Sequence, residues 1–148
     1  MSPNPQSFID HLRSEGYHPR SDKHSNSLAR AIAEDLTAYC PAIQDLAIAG
    51  SLVYDINFTL RAGTADWNVD LVLGRPATVE PPSGTAIRQS TPSSIQIAIE
   101  LKAVMTEHRK AVKNRKRDLE AHHEHVHNYD NEAIAGGVLI INAAPVFK

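Results

Sequence analysis

Three charged residues, Asp70, Glu100 and Lys102, have side chains and spacing suited to phosphodiester chemistry. Glu100 and Lys102 are two residues apart in an apolar stretch, so on a β-strand they project from one face. Asp70 interrupts an earlier apolar stretch, between Val69 and Leu71. If the two strands are hairpin neighbours, Asp70 and Glu100 face each other across roughly 5 Å. Two carboxylates so placed repel unless a cation lies between them, and Mg²⁺ prefers such oxygen ligands.

A lysine beside such a metal ion positions or activates a water molecule and stabilises charge that develops at phosphorus. Asp70, Glu100 and Lys102 together therefore favour in-line attack of water on a phosphodiester. The alternative interpretation is structural. In that case Glu100 and Lys102 form a salt bridge on a solvent-exposed sheet face.

The elements that must position these side chains follow from hydrophobic periodicity. An apolar stripe at helical spacing predicts a helix from Ser25 or Ser27 to Tyr39, closed by Pro41. Alternating apolar and polar residues predict strands over 52–60, 67–73 and 95–102. A long helix is expected from about Thr106 to Asn128. After a break at Gly136-Gly137, a short buried strand is expected over 138–142.

The predicted order is helix, three strands, long helix and strand. The first three strands can form a meander, and the helical crossover favours a fourth strand parallel to the third. With 148 residues, we expect one α/β domain over 1–148, with an N-terminal arm at 1–24 and a core at 25–143. The proline-rich stretch 75–94 is long for a loop inside a compact domain, so we expect it to be functional or disordered.

These features together resemble a known family. Asp70, followed about thirty residues later by Glu100-Leu101-Lys102, resembles the PD-(D/E)xK motif of the restriction-endonuclease-like superfamily, although Asn68-Val69 replaces the motif's proline. The predicted element order is similar to that superfamily's αβββαβ core, a mixed sheet flanked by helices. The resemblance implies a Mg²⁺-dependent DNA endonuclease, in particular a type II restriction endonuclease, with Mn²⁺ able to substitute. Asp70, Glu100 and the Leu101 backbone carbonyl would bind the metal, and Lys102 would be the catalytic lysine.

Members of this superfamily often add an acidic residue from the first helix, and Asp35 is the candidate here because it lies on the apolar stripe. The long helix carries a basic run directly after the strand of Glu100. Its candidate DNA-phosphate contacts are Arg109, Lys110, Lys113, Arg115 and Lys116. A solvated helix face with local pairing to Asp118 and Glu120 is the alternative interpretation of this run.

A second motif competes formally with the first. The stretch from His123 to His127 satisfies H-E-x-x-H, the zinc-peptidase pattern. Asp130 occupies the position where the extended form of that motif has glycine, and few residues remain to supply a third ligand. The cluster His122–His127 is therefore expected to be a pH-sensitive or adventitious metal patch rather than a zinc centre.

Composition bounds the partners and the compartment. The net charge is −2, and the single cysteine, Cys40, indicates a reducing compartment. The polar N-terminus and the absence of an apolar run near 20 residues favour a cytoplasmic protein without a membrane span. Cutting both strands of double-stranded DNA usually takes two sites, so a homodimer is expected. The narrow apolar stripe of the long helix, which consists of Met105, Val112, Leu119 and Val126, is a candidate contact between the two copies. Rival functions are a repair, phage or junction-resolving nuclease and a non-catalytic nucleic-acid-binding module.

Overall fold

The computed structural model describes residues 9–14, 22–62, 65–84, 86–104 and 108–141. Its helices are α1 (Asp22–Tyr39), α2 (Pro41–Ile48) and α3 (His108–Tyr129), and residues 9–14 are also helical. Its strands are β1 (Val53–Ala62), β2 (Ala65–Gly74), β3 (Arg88–Gln89), β4 (Ile97–Val104) and β5 (Ile134–Ile141). No helix in these ranges is long and apolar enough to cross a membrane.

The strands form a mixed sheet in the order β3-β1-β2-β4-β5. β1, β2 and β4 are antiparallel neighbours, whereas β5 lies parallel to β4 after the crossover through α3. The predicted meander and the parallel fourth strand are therefore confirmed. The short strand β3 adds a parallel partner at the outer edge of β1.

Helices cover both faces of this sheet. On one face, Ala29 and Ala33 of α1 belong to a core with Leu71, Ile99 and Leu101, into which α2 also packs. On the other face, the core is built around Val126 of α3 together with the residues Leu60, Val69, Val72, Ile95, Ala98 and Ala133. Because neighbouring strand residues alternate between faces, Glu100 points away from the face that carries Ile99 and Leu101.

Pro41 begins a helix rather than only ending one. The sequence predicts a helix stop there, yet α2 starts at Pro41 with Cys40 as its N-cap residue. Proline suits a first helical position, because its missing N–H would have no partner there and its φ is already helical. Ala47 then anchors α2 in the core, with 1% of its surface exposed.

The last strand begins earlier than predicted, at Ile134 rather than 138. Gly136 and Gly137 do not break the chain but pair with Ile99 and Glu100 of β4. A Cβ on Gly137 would lie 2.6 Å from Cδ2 of Leu119, so the missing side chain lets α3 approach the strand closely. The glycines are thus packing positions within a strand.

The proline-rich stretch 75–94 is folded against the sheet in its described part. The Ser90 N–H donates a hydrogen bond to the Tyr54 carbonyl of β1, and Ile87 is buried. At the end of this stretch, the Ser94 carbonyl oxygen lies 1.7 Å from the position that a Cβ on Gly74 would occupy, so β2 must end in glycine. This stretch therefore supports the β1 edge of the sheet, with β2 between it and the strand of Glu100.

Some predicted features lie outside the described residues. They are residues 1–8 and 15–21 of the N-terminal arm, the start of the long helix at Thr106, and the strand end at Asn142.

Candidate active site

The backbone pairing of β2 is interrupted at Asp70. The β2–β4 register runs from Leu73 to Leu71, which pairs with Ile99, and goes no further. On the other side, the β1–β2 register omits Asn57, the residue that would pair with Asp70. Asn57 has a φ of 52°, a left-handed conformation that asparagine tolerates better than most residues. The sheet therefore opens locally around Asp70.

The Asp70 carboxylate occupies this opening. Its Oδ2 atom accepts a hydrogen bond of 2.7 Å from the Leu101 backbone N–H. Leu71 and Ile99 form the last β2–β4 pair, and Asp70 and Glu100 are the next residues along their strands. The interaction ties the aspartate to the middle residue of the Glu100-Leu101-Lys102 tripeptide.

Glu100 and Lys102 form a close ion pair. Lys102 Nζ lies 2.7 Å from Glu100 Oε1. The pair is not on a solvent-exposed face, because the Glu100 side chain is only 6% exposed and that of Lys102 is 23% exposed. The structural alternative is therefore right that Glu100 and Lys102 form a salt bridge, but wrong that this salt bridge lies on a solvent-exposed face. α3 lies over this face, and Lys102 is on the more open side of the pair.

Burial makes Glu100 a weaker acid than an exposed glutamate. Loss of solvent is the main cause of its raised pKa, and the nearby charges of Asp70 and Asp118 act in the same direction. The hydrogen bond from Lys102 opposes this rise without cancelling it. The ionised carboxylate is therefore disfavoured in the folded protein, and a further positive charge beside it would stabilise it.

A histidine that the sequence did not indicate as a site residue completes this arrangement. His122 of α3 is 1% exposed, and its Nε2 lies 3.2 Å from the Ala98 carbonyl oxygen, placed to donate a hydrogen bond. Its Nδ1 faces Glu100 Oε2 at 3.8 Å, and both atoms are buried without a hydrogen-bond partner in the described structure. Burial lowers the pKa of His122, although the charge of Asp70 opposes the shift.

The sequence did contain a signal for His122. It lies three residues after Leu119 and four before Val126, both of which belong to the apolar stripe of the long helix. Helical residues at those spacings share a face. His122 therefore faces the sheet and is buried, whereas the histidines that follow it are not buried.

The donor atoms fit a hard divalent ion only in an open site. Within the described ranges, no three His, Cys, Asp or Glu side chains are grouped so as to hold a metal ion. Mg²⁺ is commonly held by one or two carboxylates, with water and substrate phosphate completing its octahedron. Asp70 and Glu100 suit that chemistry, and the partnerless buried Oε2 of Glu100 is the atom that most needs a positive partner.

The basic residues of α3 fall into two groups. Arg109, Lys110 and Lys113 are exposed on the first half of the helix. Arg115 is half-buried and pairs with Asp118 at 3.1 Å, and Lys116 lies 3.8 Å from Glu120. The local pairing predicted as an alternative thus applies to Arg115 and Lys116.

Asp35 is not brought to the site. It lies on α1, which packs on the sheet face opposite the one to which Glu100 points. The apolar stripe that nominated Asp35 is the stripe that faces the α1 core, and the site is on the other side of the sheet. The expectation of an extra acid from the first helix is therefore not supported by this geometry.

The H-E-x-x-H residues are less buried than His122. The ring centroids of His123 and His127 are 4.1 Å apart. His127 Nε2 lies 3.0 Å from the Ala133 carbonyl oxygen. Glu124, the base in the zinc-peptidase pattern, is exposed. His125 instead stacks on Trp67 at 4.3 Å, so the tryptophan packs against α3.

Comparison of the chain with protein-family models, with curated proteins and with solved structures finds no match.

Proposed function

We propose that this protein is a metal-dependent nuclease that hydrolyses DNA phosphodiesters, with Asp70, Glu100 and Lys102 as its active centre. The observation that carries the proposal is the opening between β2 and β4. There the Asp70 carboxylate contacts the Leu101 N–H, and Lys102 is paired with the buried Glu100. Apart from α2 and the two-residue strand β3, the element order is similar to the αβββαβ order of the restriction-endonuclease-like core, and this similarity supports the assignment.

Each residue has a distinct role in the proposed reaction. Asp70, Glu100 and the Leu101 carbonyl would hold Mg²⁺, or Mn²⁺ in its place. When bound, the ion polarises the phosphate and lowers the pKa of a coordinated water. Glu100 orients the Lys102 ammonium through its Oε1, which leaves the other N–H donors of Lys102 for a phosphate oxygen or the attacking water. Attack in line with the leaving 3′-oxygen yields a 5′-phosphate end.

Double-stranded DNA is the proposed substrate, and a type II restriction endonuclease is the specific form we favour. The exposed cations at Arg109, Lys110 and Lys113 begin soon after β4 ends, so they can contact phosphates next to the cut. We expect a cytoplasmic homodimer, since cutting both strands takes two sites. Sedimentation equilibrium at micromolar concentration should give twice the chain mass, whereas a monomer throughout would contradict the dimer.

The decisive experiment incubates plasmid DNA with the protein and Mg²⁺, with and without a chelator. Cleavage should require the metal, and Asp70→Asn and Lys102→Ala should each lower the rate by about 100-fold or more. Both variants should still shift DNA in a gel. Asp45→Asn is the matched control, because it changes an exposed aspartate on α2, on the opposite face of the sheet, and should keep the rate.

The products distinguish the related functions. Discrete fragments indicate a restriction endonuclease, whereas a smear indicates a non-specific nuclease. A panel of branched and single-stranded substrates tests for repair or junction-resolving activity. DNA binding without cleavage of any substrate would overturn the nuclease and favour a non-catalytic nucleic-acid-binding module.

A further inference from the structure

β5 is an edge strand that lacks the usual protection of an edge. Among the described residues it pairs only with β4, so its outer side has no partner strand. None of its eight residues is buried, although all of them are Ile, Leu, Val, Ala or Gly. Ile134, Leu139 and Ile141 are 64%, 37% and 51% exposed. Natural edge strands are protected by charged residues, proline, bulges or short length, and β5 contains no charged residue and no proline.

The opposite edge of the sheet is protected in just these ways. β3 has only two residues, Arg88 and Gln89. The Arg88 guanidinium donates hydrogen bonds to the carbonyl oxygens of Pro81 and Pro82, which holds the proline-rich stretch against this edge. Because a long apolar edge is a template for pairing with another strand, the contrast indicates that β5 is covered by a partner in the working protein.

A groove continues the apolar edge of β5 along α3. Its volume is about 640 Å³, and Leu119 of α3 and Leu139 of β5 both line it. Charges of both signs also line it, with Lys116 towards its basic end and Glu124, two helical turns later, towards its acidic end. A second copy of the same groove, turned end to end, therefore places acid against base. This charge complementarity favours another copy of the chain as the partner.

A twofold axis perpendicular to the sheet brings these features together. Two β5 strands that pair antiparallel about this axis form one continuous sheet, so both copies of α3 lie on the same face and run in opposite directions. α3 packs over both β4 and β5, through Ala98 and Gly137. The two helices are then about two strand spacings apart, roughly 10 Å, which is the separation of packed helices.

We propose that β5 and the adjoining groove form the dimer interface, in which the β5 strands of two copies pair antiparallel and their α3 helices pack beside each other in opposite directions. This inference rests on the homodimer of the proposed function and names the surface through which it forms. Leu119 lies in the interface. Val126, a member of the same apolar stripe, does not, because it is 0% exposed within its own chain.

The interface also places the two active centres relative to each other. Glu100 and Lys102 point to the sheet face that α3 covers, and the twofold axis keeps both copies of that face on one side of the continuous sheet. The two β4 strands are separated by three strand spacings, roughly 14 Å. Both active centres therefore face the same side, which suits a dimer that cuts both strands of one duplex.

A charge placed in the edge strand tests the interface. Leu139→Lys puts one lysine from each copy into the apolar contact and should raise the dimer dissociation constant by about 100-fold or more. Ile48→Lys is the matched control, because Ile48 is also 37% exposed but lies on α2, on the other face of the sheet. It should remain a dimer. Sedimentation equilibrium over a wide range of protein concentration measures both constants, and circular dichroism shows that both variants fold.

Hydrogen exchange identifies the strand directly. In the wild-type protein, the amides of residues 134–141 should exchange more slowly as the protein concentration rises, whereas those of α2 should not change. Leu139→Lys should remove this dependence on concentration. If Leu139→Lys does not fold, Ile134→Lys takes its place, because Ile134 is 64% exposed at the same edge.

Three results would overturn the interface. The first is a wild-type protein that stays monomeric at every concentration. The second is a dimer that the folded edge variants leave intact, because its contact then lies elsewhere. The third is protection of the β5 amides that does not vary with concentration, because another part of the same chain then covers the edge.

The interface and the nuclease fail separately. Cleavage of duplex DNA by a monomer, or by a dimer that Leu139→Lys leaves intact, removes the interface and leaves the nuclease. A dimer that forms through β5 but cleaves no nucleic acid supports the interface and overturns the nuclease.

Discussion

Glu100 is ionisable and yet lies where its charge is expensive. Its carboxylate has one strong partner, Lys102 at 2.7 Å, and one oxygen with none. Breaking a buried ion pair by removing one member leaves the other uncompensated. In the metal-free protein, Lys102 compensates one carboxylate oxygen of Glu100, and the other oxygen has no hydrogen-bond partner in the described structure. This is a reason to expect the site to bind a cation.

The raised pKa of Glu100 predicts how the metal-free protein responds to pH. An unfolded glutamate titrates near 4.5, whereas burial raises the pKa in the fold. Ionisation of Glu100 therefore costs folding free energy above the folded pKa and costs nothing below the unfolded one. Glu100→Gln removes that cost and keeps the shape of the side chain. Its free energy of unfolding relative to wild type should rise as the pH increases from about 4.5 and level off above the folded pKa.

Urea unfolding with chelator present, at several pH values between 4.5 and 8, measures this difference. Glu124→Gln is the control, because Glu124 is exposed on α3 and its substitution should give no such pH trend. A difference between Glu100→Gln and wild type that falls with rising pH would contradict the assignment of burial as the dominant cause.

At the residue scale, the sequence predicted the part of the site that is local along the chain. The period of a strand suffices to put Glu100 and Lys102 on one face, and the interrupted apolar stretch marks Asp70. The apolar stripe of α3 indicates that His122 faces the sheet, but its position opposite Glu100 depends on how α3 packs on the sheet, which local sequence does not give. The burial of Glu100 has the same origin, since it requires a helix that packs over the face from elsewhere in the chain.

At the scale of elements, α3 contributes to the site through its packing. Val126 is 0% exposed and lies one helical turn after His122. The packing of Val126 against the sheet therefore also fixes where His122 lies along the sheet and which way it faces. Val112 belongs to the same predicted stripe but is 42% exposed. The stripe is therefore a packing surface in the second half of the helix, and its first half is left open.

This difference predicts unequal effects for one substitution at two positions of α3. Val126→Ala should lower the free energy of unfolding by about 2 kcal/mol, because two buried methyl groups are lost and a cavity remains. Val112→Ala should change it by less than about 0.5 kcal/mol. Urea denaturation with matched m-values measures both. Equal losses would mean that α3 is anchored along its whole length rather than near His122.

The elements that were predicted incorrectly share a cause. Proline and glycine have different meanings at the two ends of a helix and inside a sheet, and local sequence does not decide between them. Pro41 starts α2, and Gly137 lies within β5 because Leu119 needs the space. The strands around Asp70 and Glu100 and the long helix were predicted well, since their periodicity extends over many residues.

At the scale of the whole molecule, charge is separated along α3 although the net charge is only −2. Cations occupy the first half of this helix, and the acids Asp118, Glu120 and Glu124 follow. The proposed attraction of the protein for DNA would therefore come from this region of α3 rather than from its overall field. Its affinity should therefore respond to salt according to the few cations that are free to meet a phosphate.

Two lysines one turn apart in this basic region test that view. Lys113 is exposed and has no acidic partner within the described residues, whereas the Lys116 ammonium lies 3.8 Å from Glu120. Each phosphate neutralised contributes about −0.9 to the slope of log affinity against log salt for duplex DNA. Lys113→Gln should therefore make the slope shallower by about 1, and Lys116→Gln should alter it by clearly less, because Lys116 must first give up Glu120. Fluorescence anisotropy with a short duplex between 50 and 200 mM salt, in chelator to prevent cleavage, measures both slopes. If the two substitutions have equal effects, the intrahelical pair does not survive on DNA and the phosphate contacts extend further along α3 towards the active centre.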